Sequence, residues 1–311
     1  MKNIIVSGAT SMLGLALIEQ CAAAGVSIQA LIRRGSGKRA RIPRSPLIRV
    51  IEGDLDEYGS LRLPAGDYDA FYHFAWSHTD NASRDLAEAQ ARNIGYTLDA
   101  LKLAEKCGAK KFIGAGSQAE YGLAQGAVSP LAKVAPVSAY GTAKYAAGRL
   151  AGIAARQTGT RFVWTRVFST YGVNDMDSTM IMYCLEKLLR GELPILTKCE
   201  QKWDYLHCRD AARAFFLLGD RGKDQEIYNI GGGVARPLRY YVETLRDCVD
   251  PALPLGIGRR EYAADQIMYL CADIEGLVRD TAFQPEIEFG AGVKELIEWY
   301  KTRNNARNDE R

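Results

Sequence analysis

Tyr140 and Lys144 stand four residues apart in the stretch SAYGTAKYAAGRL. Four residues is about one helical turn, so phenol and ammonium project from the same face of a helix. A nearby positive charge favours phenolate over phenol and lowers a tyrosine pKa that otherwise sits near ~10. Such a tyrosine exchanges a proton with a carbinol or ketone at neutral pH. Far upstream, the turn GATSMLG follows the apolar run at residues 4–6. A strand, a glycine turn and a helix place backbone N–H groups and a helix dipole against a pyrophosphate. Gly8, Thr10, Ser11, Met12, Leu13 and Gly14 are the candidates for that contact. A proton-exchanging tyrosine beside a dinucleotide cradle points to hydride transfer.

The elements that must position these groups alternate in type. An apolar strand at residues 2–7, an Ala/Leu-rich helix at 13–24 ended by Gly25, and strands at 28–32, 48–51 and 70–74 open the chain. A helix over about 84–107, a strand at 111–114, the Tyr/Lys helix over 138–156 and a strand at 161–167 follow. Apolar strands interleaved with helices predict a parallel sheet covered on both faces, the doubly wound α/β (Rossmann) architecture. After Tyr171 the rhythm changes to a helix at 178–190, the segment PILTKCEQKWDYLH, a helix at 209–218 and the strand-like IYNIGGG. Two amphipathic stretches, LRYYVETLRDCV and VKELIEWYKTR, close the chain. The expected division is a dinucleotide domain at 1–170, with return segments near 205–232, and a smaller α/β lobe at 171–311 that mainly binds substrate. That lobe should cover the carboxyl ends of the strands, where ligands bind in such folds. Residues 304–311 are polar and expected to fray.

Composition sets the outer limits. The 311 residues are 47% apolar and 25% charged, with a net charge of only +3. That balance argues against nucleic acid or a membrane surface as partner. No apolar run approaches the roughly 20 residues of a membrane span, and a strand at the very start leaves no room for a signal peptide. The seven cysteines form no CxxC pair and the three histidines do not cluster with them. Free thiols in a reducing cytoplasm are expected, with no metal site.

The middle glycine expected of GxxGxxG is Ser11, so the turn fits either a dinucleotide site or an ordinary strand–turn–helix junction. Its place in an N-terminal βαβ unit favours the dinucleotide. The end of the second strand separates the two nicotinamide cofactors. NAD sites usually carry a carboxylate there for the ribose 2′-hydroxyl, whereas a 2′-phosphate wants arginine. The chain reads ALIRRGSGKRARIPR, with no acid but with Arg33 and Arg34, then Lys38, Arg39 and Arg41. This is either a solvated basic loop or a set of guanidinium forks for a phosphate dianion. The second reading makes NADP, entering as NADPH, the expected cofactor, and NAD the less favoured one. In EGDLDEYGS, Asp54 and Leu55 are placed to meet the adenine. In HFAWSH, small Ala75 between Phe74 and Trp76 lets a cofactor lie close, while His73 and His78 read as structural.

With these pieces in order, the chain resembles the extended short-chain dehydrogenase/reductase family, in its nucleotide-sugar epimerase/dehydratase/ketoreductase branch. GATSMLG stands for the glycine motif, GDL for the adenine contact and HFAW for the usual His-Leu-Ala-Ala. ARNIGYTLDALKLAEKCGAKKFIGAGSQAEYG follows the family's Asn-x-x-Gly-Thr helix and Ser-x-x-x-Tyr-Gly turn. SAYGTAK, TRVFSTYGVND, KWDYLHCRDAARAF and YNIGGG then come in family order. The resemblance implies that Tyr140 is the general acid/base for the sugar C4 oxygen. It implies that Lys144 binds the nicotinamide ribose and lowers the Tyr140 pKa. Ser117 would bond the same sugar oxygen, Asn93 would support the site from the preceding helix, and Val167 would flank the cofactor. Gln118, Ser169 and Asn174 would line the sugar pocket. A nucleotide-sugar substrate and a homodimer, formed through the helices that carry Asn93 and Tyr140, are implied likewise.

Departures from the family pattern bear on the reaction. The 4,6-dehydratases place Asp-Glu directly after the serine or threonine of the turn, for water elimination. Gln118 and Ala119 stand there, and alanine cannot abstract a proton. The 4-epimerases carry neutral residues at these positions but usually keep an acid after the second strand for a retained NAD. An NADPH-dependent reductase of a nucleotide-linked 4-keto-6-deoxy sugar is therefore the expected function, with 4-epimerase as the alternative. A non-catalytic NADP-binding regulator is a third reading, and it would have lost the tyrosine or the lysine. Trp203 in KWDYLH replaces the arginine that often meets the nucleotide phosphates. Lys202, Lys198 or the pair Arg259 and Arg260 are the substitutes expected, and Trp203 is placed to stack on a base or pack under a sugar.

Overall fold

The computed structural model describes residues 1–80 and 82–309. The central sheet has seven strands: β1 (Asn3–Ser7), β2 (Ser27–Ile32), β3 (Ile48–Glu52), β4 (Ala70–His73), β5 (Lys111–Ser117), β7 (Arg161–Val167) and β11 (Glu226–Ile230). Their order is β11-β7-β5-β4-β1-β2-β3 and every pairing is parallel. This is the expected doubly wound architecture. The strand order reverses between β1 and β4, and the crevice at such a switch point takes the ligand.

Near-continuous apolar strands such as NIIVS demand cover on both faces. On one face lie α1 (Met12–Ala23) and α5 (Cys208–Arg221), with Leu17, Ile18, Ala211 and Phe215 buried against β1 and β4. On the other lie α2 (Ala87–Lys106) and α3 (Ala139–Thr158), with Leu101, Ala104, Ala147 and Ala151 buried. Small residues on the inner face of α3 let it press close to the sheet, and this brings Tyr140 over the strand ends. Ser138 caps the start of α3 by accepting from Gly141 N–H, and Gly159 ends it. The expected helix and strand cores are all present. β5 runs to Ser117, three residues past the expected strand, and so delivers that hydroxyl from the sheet itself.

The remaining elements build a smaller lobe. Its helices α4 (Met180–Leu189), α6 (Leu238–Val249) and α8 (Phe289–Asp309) pack around Leu185, Tyr241, Leu245 and Leu296. α8 carries the backbone of the expected polar tail as far as Asp309, and the last two residues lie outside the described ones. Two minor sheets complete it: β8 (Ser169–Tyr171) with β10 (Tyr205–His207), and the order β12-β9-β13-β6 from Arg236–Pro237, Lys202–Trp203, Tyr269–Ala272 and Gly126–Val128. The chain thus crosses between the two parts, since β6 joins the small sheet and β11 the large one. α7 (Glu275–Thr281) packs beside α5. No helix among the described residues is long and apolar enough to cross a membrane.

Candidate active site

A cleft of about 920 Å³ opens at the carboxyl ends of the first four strands. Gly8, Thr10 and Ser11 line it after β1, Arg33 after β2, Asp54 and Leu55 after β3, and Phe74, Ala75 and Trp76 after β4. Gly8 sits at φ 68°, and a Cβ there would lie 2.6 Å from Ala75 N. Gly14 packs so tightly that a Cβ would lie 2.4 Å from the Gly8 carbonyl oxygen. Ser11 has φ −74°, so its position does not need a glycine. Its hydroxyl accepts from Gly14 N–H at 3.1 Å and donates to the Gly8 carbonyl at 2.8 Å, capping α1. The first-turn N–H groups of Met12 and Leu13 have no helical acceptor, and both residues line the adjoining smaller cleft. The odd serine of the motif is therefore a helix cap.

A second cleft of about 480 Å³ shares Thr10, Ser11, Phe74 and Trp76 with the first. Ser117, Gln118, Tyr140, Lys144, Val167, Ser169 and Asn174 line it, so the structure brings the expected chemical groups to one place. The Ser117 hydroxyl lines the same cleft wall as Tyr140 and favours its charged form. Lys144 is buried and donates to the Ala115 carbonyl at 2.6 Å. Its ammonium lies 3.7 Å above the Trp76 ring and 5.8 Å from the Tyr140 ring. Burial holds the Lys144 ammonium down to about 7.

Around the Tyr140 phenol, burial and charge oppose each other. Burial pushes the Tyr140 phenol up, and the opposing pulls come from the Arg84 guanidinium and the Ser117 hydroxyl. Arg84 lies 4.2 Å over the Tyr140 ring, held by the segment before α2. No sequence signal marked it, because the contact joins a loop to the first turn of a helix far along the chain.

Behind Ser117 stands a buried carboxylate that the sequence reading passed over. Glu120 is fully buried, accepts from Ser117 N–H at 2.9 Å and from the Trp164 indole at 3.0 Å, and pairs with Arg166 at 2.8 Å. Ser117 and Glu120 form a capping box. The Ser-x-x-Glu spacing announces such a box in sequence.

Other expected residues lie elsewhere. Asn93 spends its amide on Ser77, accepting from Ser77 N–H at 2.9 Å and donating to its carbonyl at 3.1 Å, which fixes α2 to the loop after β4. The Trp203 indole donates to Ser169 at 2.6 Å and packs between two apolar clusters, so it is wedged rather than free to stack. Lys202 points over Tyr269, and Lys198, Arg259 and Arg260 are exposed away from the residues that line either cleft. His73 is buried and bonded to the Ser7 hydroxyl at 2.8 Å, a structural role. Arg34 turns from the cleft to Glu57, with its Nε 2.9 Å from the carboxylate.

A family model described as the NAD dependent epimerase/dehydratase family matches residues 4–231. A dTDP-glucose 4,6-dehydratase of Shigella flexneri is 29% identical over 178 residues, 55% of this chain and 49% of that protein. The chain therefore spans about half the length of that relative. Among solved structures, a UDP-glucuronic acid 4-epimerase from Bacillus cereus in complex with NAD superposes with a TM-score of 0.84 at 19% identity, covering 97% of this chain and 99% of that one. A double mutant of a dTDP-glucose 4,6-dehydratase from Streptomyces venezuelae, with NAD, gives 0.84 at 22% identity over 97% and 98%. At these identities the likeness shows the shared fold. The expectation of NADP is overturned by them, since both proteins carry NAD. The arginine argument fails for a local reason as well: Arg34 is spent on Glu57, and Asp54 and Asp56 share the cleft wall with Arg33.

Proposed function

The chain belongs to the NAD dependent epimerase/dehydratase family, and from that premise we propose that it oxidises and re-reduces C4 of a nucleotide-linked sugar, with 4-epimerisation as the net change. The observation that carries this reading is the meeting of Ser117, Tyr140 and Lys144 in a cleft continuous with the glycine-turn cleft. The residues suit NAD. Met12 and Leu13 offer free first-turn N–H groups to a pyrophosphate, and Asp54 and Asp56 bring carboxylates to the adenosine end. Bound NAD supplies an acceptor and donor of hydride. Ser117 holds the C4 oxygen, Tyr140 takes its proton on oxidation and returns it on reduction, and Lys144 holds the nicotinamide ribose. A reductase was expected because the arginines suggested an exchangeable NADPH, and that ground is gone. Dehydration lacks its acid and base, because the two residues after Ser117 are Gln118 and Ala119. We also propose a homodimer through α2 and α3, where Leu150 and Ile153 are exposed.

The test supplies the protein with UDP-glucose or dTDP-glucose and no added cofactor. Formation of the C4 epimer at unchanged mass is the expected outcome. A product lighter by one water would sink the assignment.

A further inference from the structure

The smaller cleft holds a cation with nothing to neutralise it. Its charged lining residues are Lys38, Arg84, Lys144 and Asp175. Lys144 donates to the Ala115 carbonyl at 2.6 Å and lies 3.7 Å above the Trp76 ring. The Asp175 carboxylate accepts from Met176 N–H at 2.7 Å and from the Thr179 hydroxyl at 3.0 Å. Lys38 lines the glycine-turn cleft as well, so it stands where the dinucleotide enters. Arg84 lines the smaller cleft alone.

Arg84 is half-buried, and its guanidinium lies 4.2 Å from the centroid of the Tyr140 ring. It has no hydrogen-bond acceptor and no ion-pair partner among the described residues. A cation drawn out of water without a counter-charge is costly. The group is also held in place. Its neighbour Asp85 accepts from Ala139 N–H at 3.0 Å, which pins the segment to the start of α3. Asp80 ties the same segment from within by accepting from Ser83 N–H at 3.0 Å. A guanidinium carries five N–H donors in a planar fork that meets a carboxylate through two parallel bonds. The cleft therefore presents a fixed fork with its donors free.

The position of the fork selects the anion. With Ser117 and Tyr140 on the C4 oxygen, a group stacked on the Tyr140 ring faces the C4 end of the sugar. The diphosphate leaves from C1, across the sugar ring, and the phosphates of NAD belong to the other cleft. C6, borne on the C5 neighbour of C4, is the carbon at that end that can carry a carboxylate. We propose that Arg84 binds a C6 carboxylate, so that the preferred substrate is a nucleotide-linked hexuronic acid. This rests on the reading of Ser117 and Tyr140 as the C4 site and names the sugar class which that site takes. A C6 hydroxymethyl gives the fork only a neutral acceptor, so a neutral hexose binds more weakly at the same place.

The test is calorimetric titration of the NAD-loaded protein with glucose and glucuronate, each linked to UDP and to dTDP, and with UDP and dTDP alone. In the series that binds, the glucuronate should bind ~10–100-fold tighter than the glucose, the worth of a charge-assisted pair. Arg84→Met should bring the glucuronate down to the level of the glucose and leave the glucose, the bare nucleotide and NAD unchanged. Arg84→Lys should keep part of the preference, as a point charge without the fork. Arg84→Gln is a second neutral variant should methionine disturb the fold, which a thermal melt reports. The comparison of the two sugars in the unaltered protein needs no variant. Absence of a preference for glucuronate in both series overturns the proposal. So does a loss in Arg84→Met that falls equally on the bare nucleotide or on NAD, since it would place the fork on a phosphate. Tyr140→Phe should bind the glucuronate as the unaltered protein does while turnover drops by ~10²–10⁴. Should it keep its turnover, the acid–base reading fails, and the titrations still decide what Arg84 holds.

Discussion

At the scale of single residues, His73, read as structural from the sequence, shows what burial does to a titratable group. It sits in β4 beneath the cleft, bonded to Ser7, and burial holds its imidazole down to about 3, with Lys144 adding to the effect. An unfolded histidine titrates near ~6.5. Below that pH the unfolded chain takes up a proton that the folded protein refuses, so stability falls as pH falls, by about 1.4 kcal/mol per unit. His73→Asn keeps a neutral partner for Ser7 and removes this titration. Urea unfolding at pH 6, 5 and 4 should show the variant gaining on the unaltered protein by about that slope. Parallel stabilities across the range would count against it. The same scale shows what sequence could carry. Tyr140, Lys144 and Ser117 were legible because spacing along one helix and one turn fixes them. Arg84 was not, since its approach to Tyr140 exists only after the loop before α2 has folded against the start of α3.

At the scale of elements, the junction of β1 and α1 leaves little room for change. A methyl group on Gly14 would press on the Gly8 carbonyl, a backbone atom that cannot swing aside. Gly14→Ala should therefore open the turn, lower NAD affinity at least tenfold and cost about 1–3 kcal/mol of stability by overpacking. Isothermal titration with NAD and a thermal melt check both, and unaltered affinity would show that the turn yields. The long strands and all the larger helices were readable in advance, because apolar runs and helical periodicity extend over enough residues to leave a pattern. β9 and β12, two residues each, and β6 and β8, three each, were not. Strands that short have no period, and their pairing depends on partners far away in the chain. The capping role of Ser11 was missed for a similar reason. Its value lies in capping a helix, which a search for glycines does not score.

At the scale of the whole molecule, α2 and α3 cover one face of the sheet and present Leu150, 45% exposed, and Ile153, 42% exposed, to the outside. If two copies join there, a charge buried at the seam should part them. Ile153→Glu is expected to halve the mass seen in sedimentation while leaving the helical signal intact. A protein that sediments as a monomer before the change would refute the dimer. The two parts of the molecule are joined in another way. The turn that presents Ser117 continues into Tyr121 and then β6, and β6 finds its partner in β13, with Leu270 opposite Gly126. Asn229 binds the three segments together: it accepts from the Tyr121 hydroxyl at 2.7 Å and donates to the carbonyls of Val128 at 2.7 Å and Asp273 at 3.2 Å. During synthesis, the nascent polypeptide can lay down the cofactor strands early and in sequence. The serine turn has to wait for Asp273 to leave the ribosome, so the glycine turn after β1 is complete long before the turn that presents Ser117.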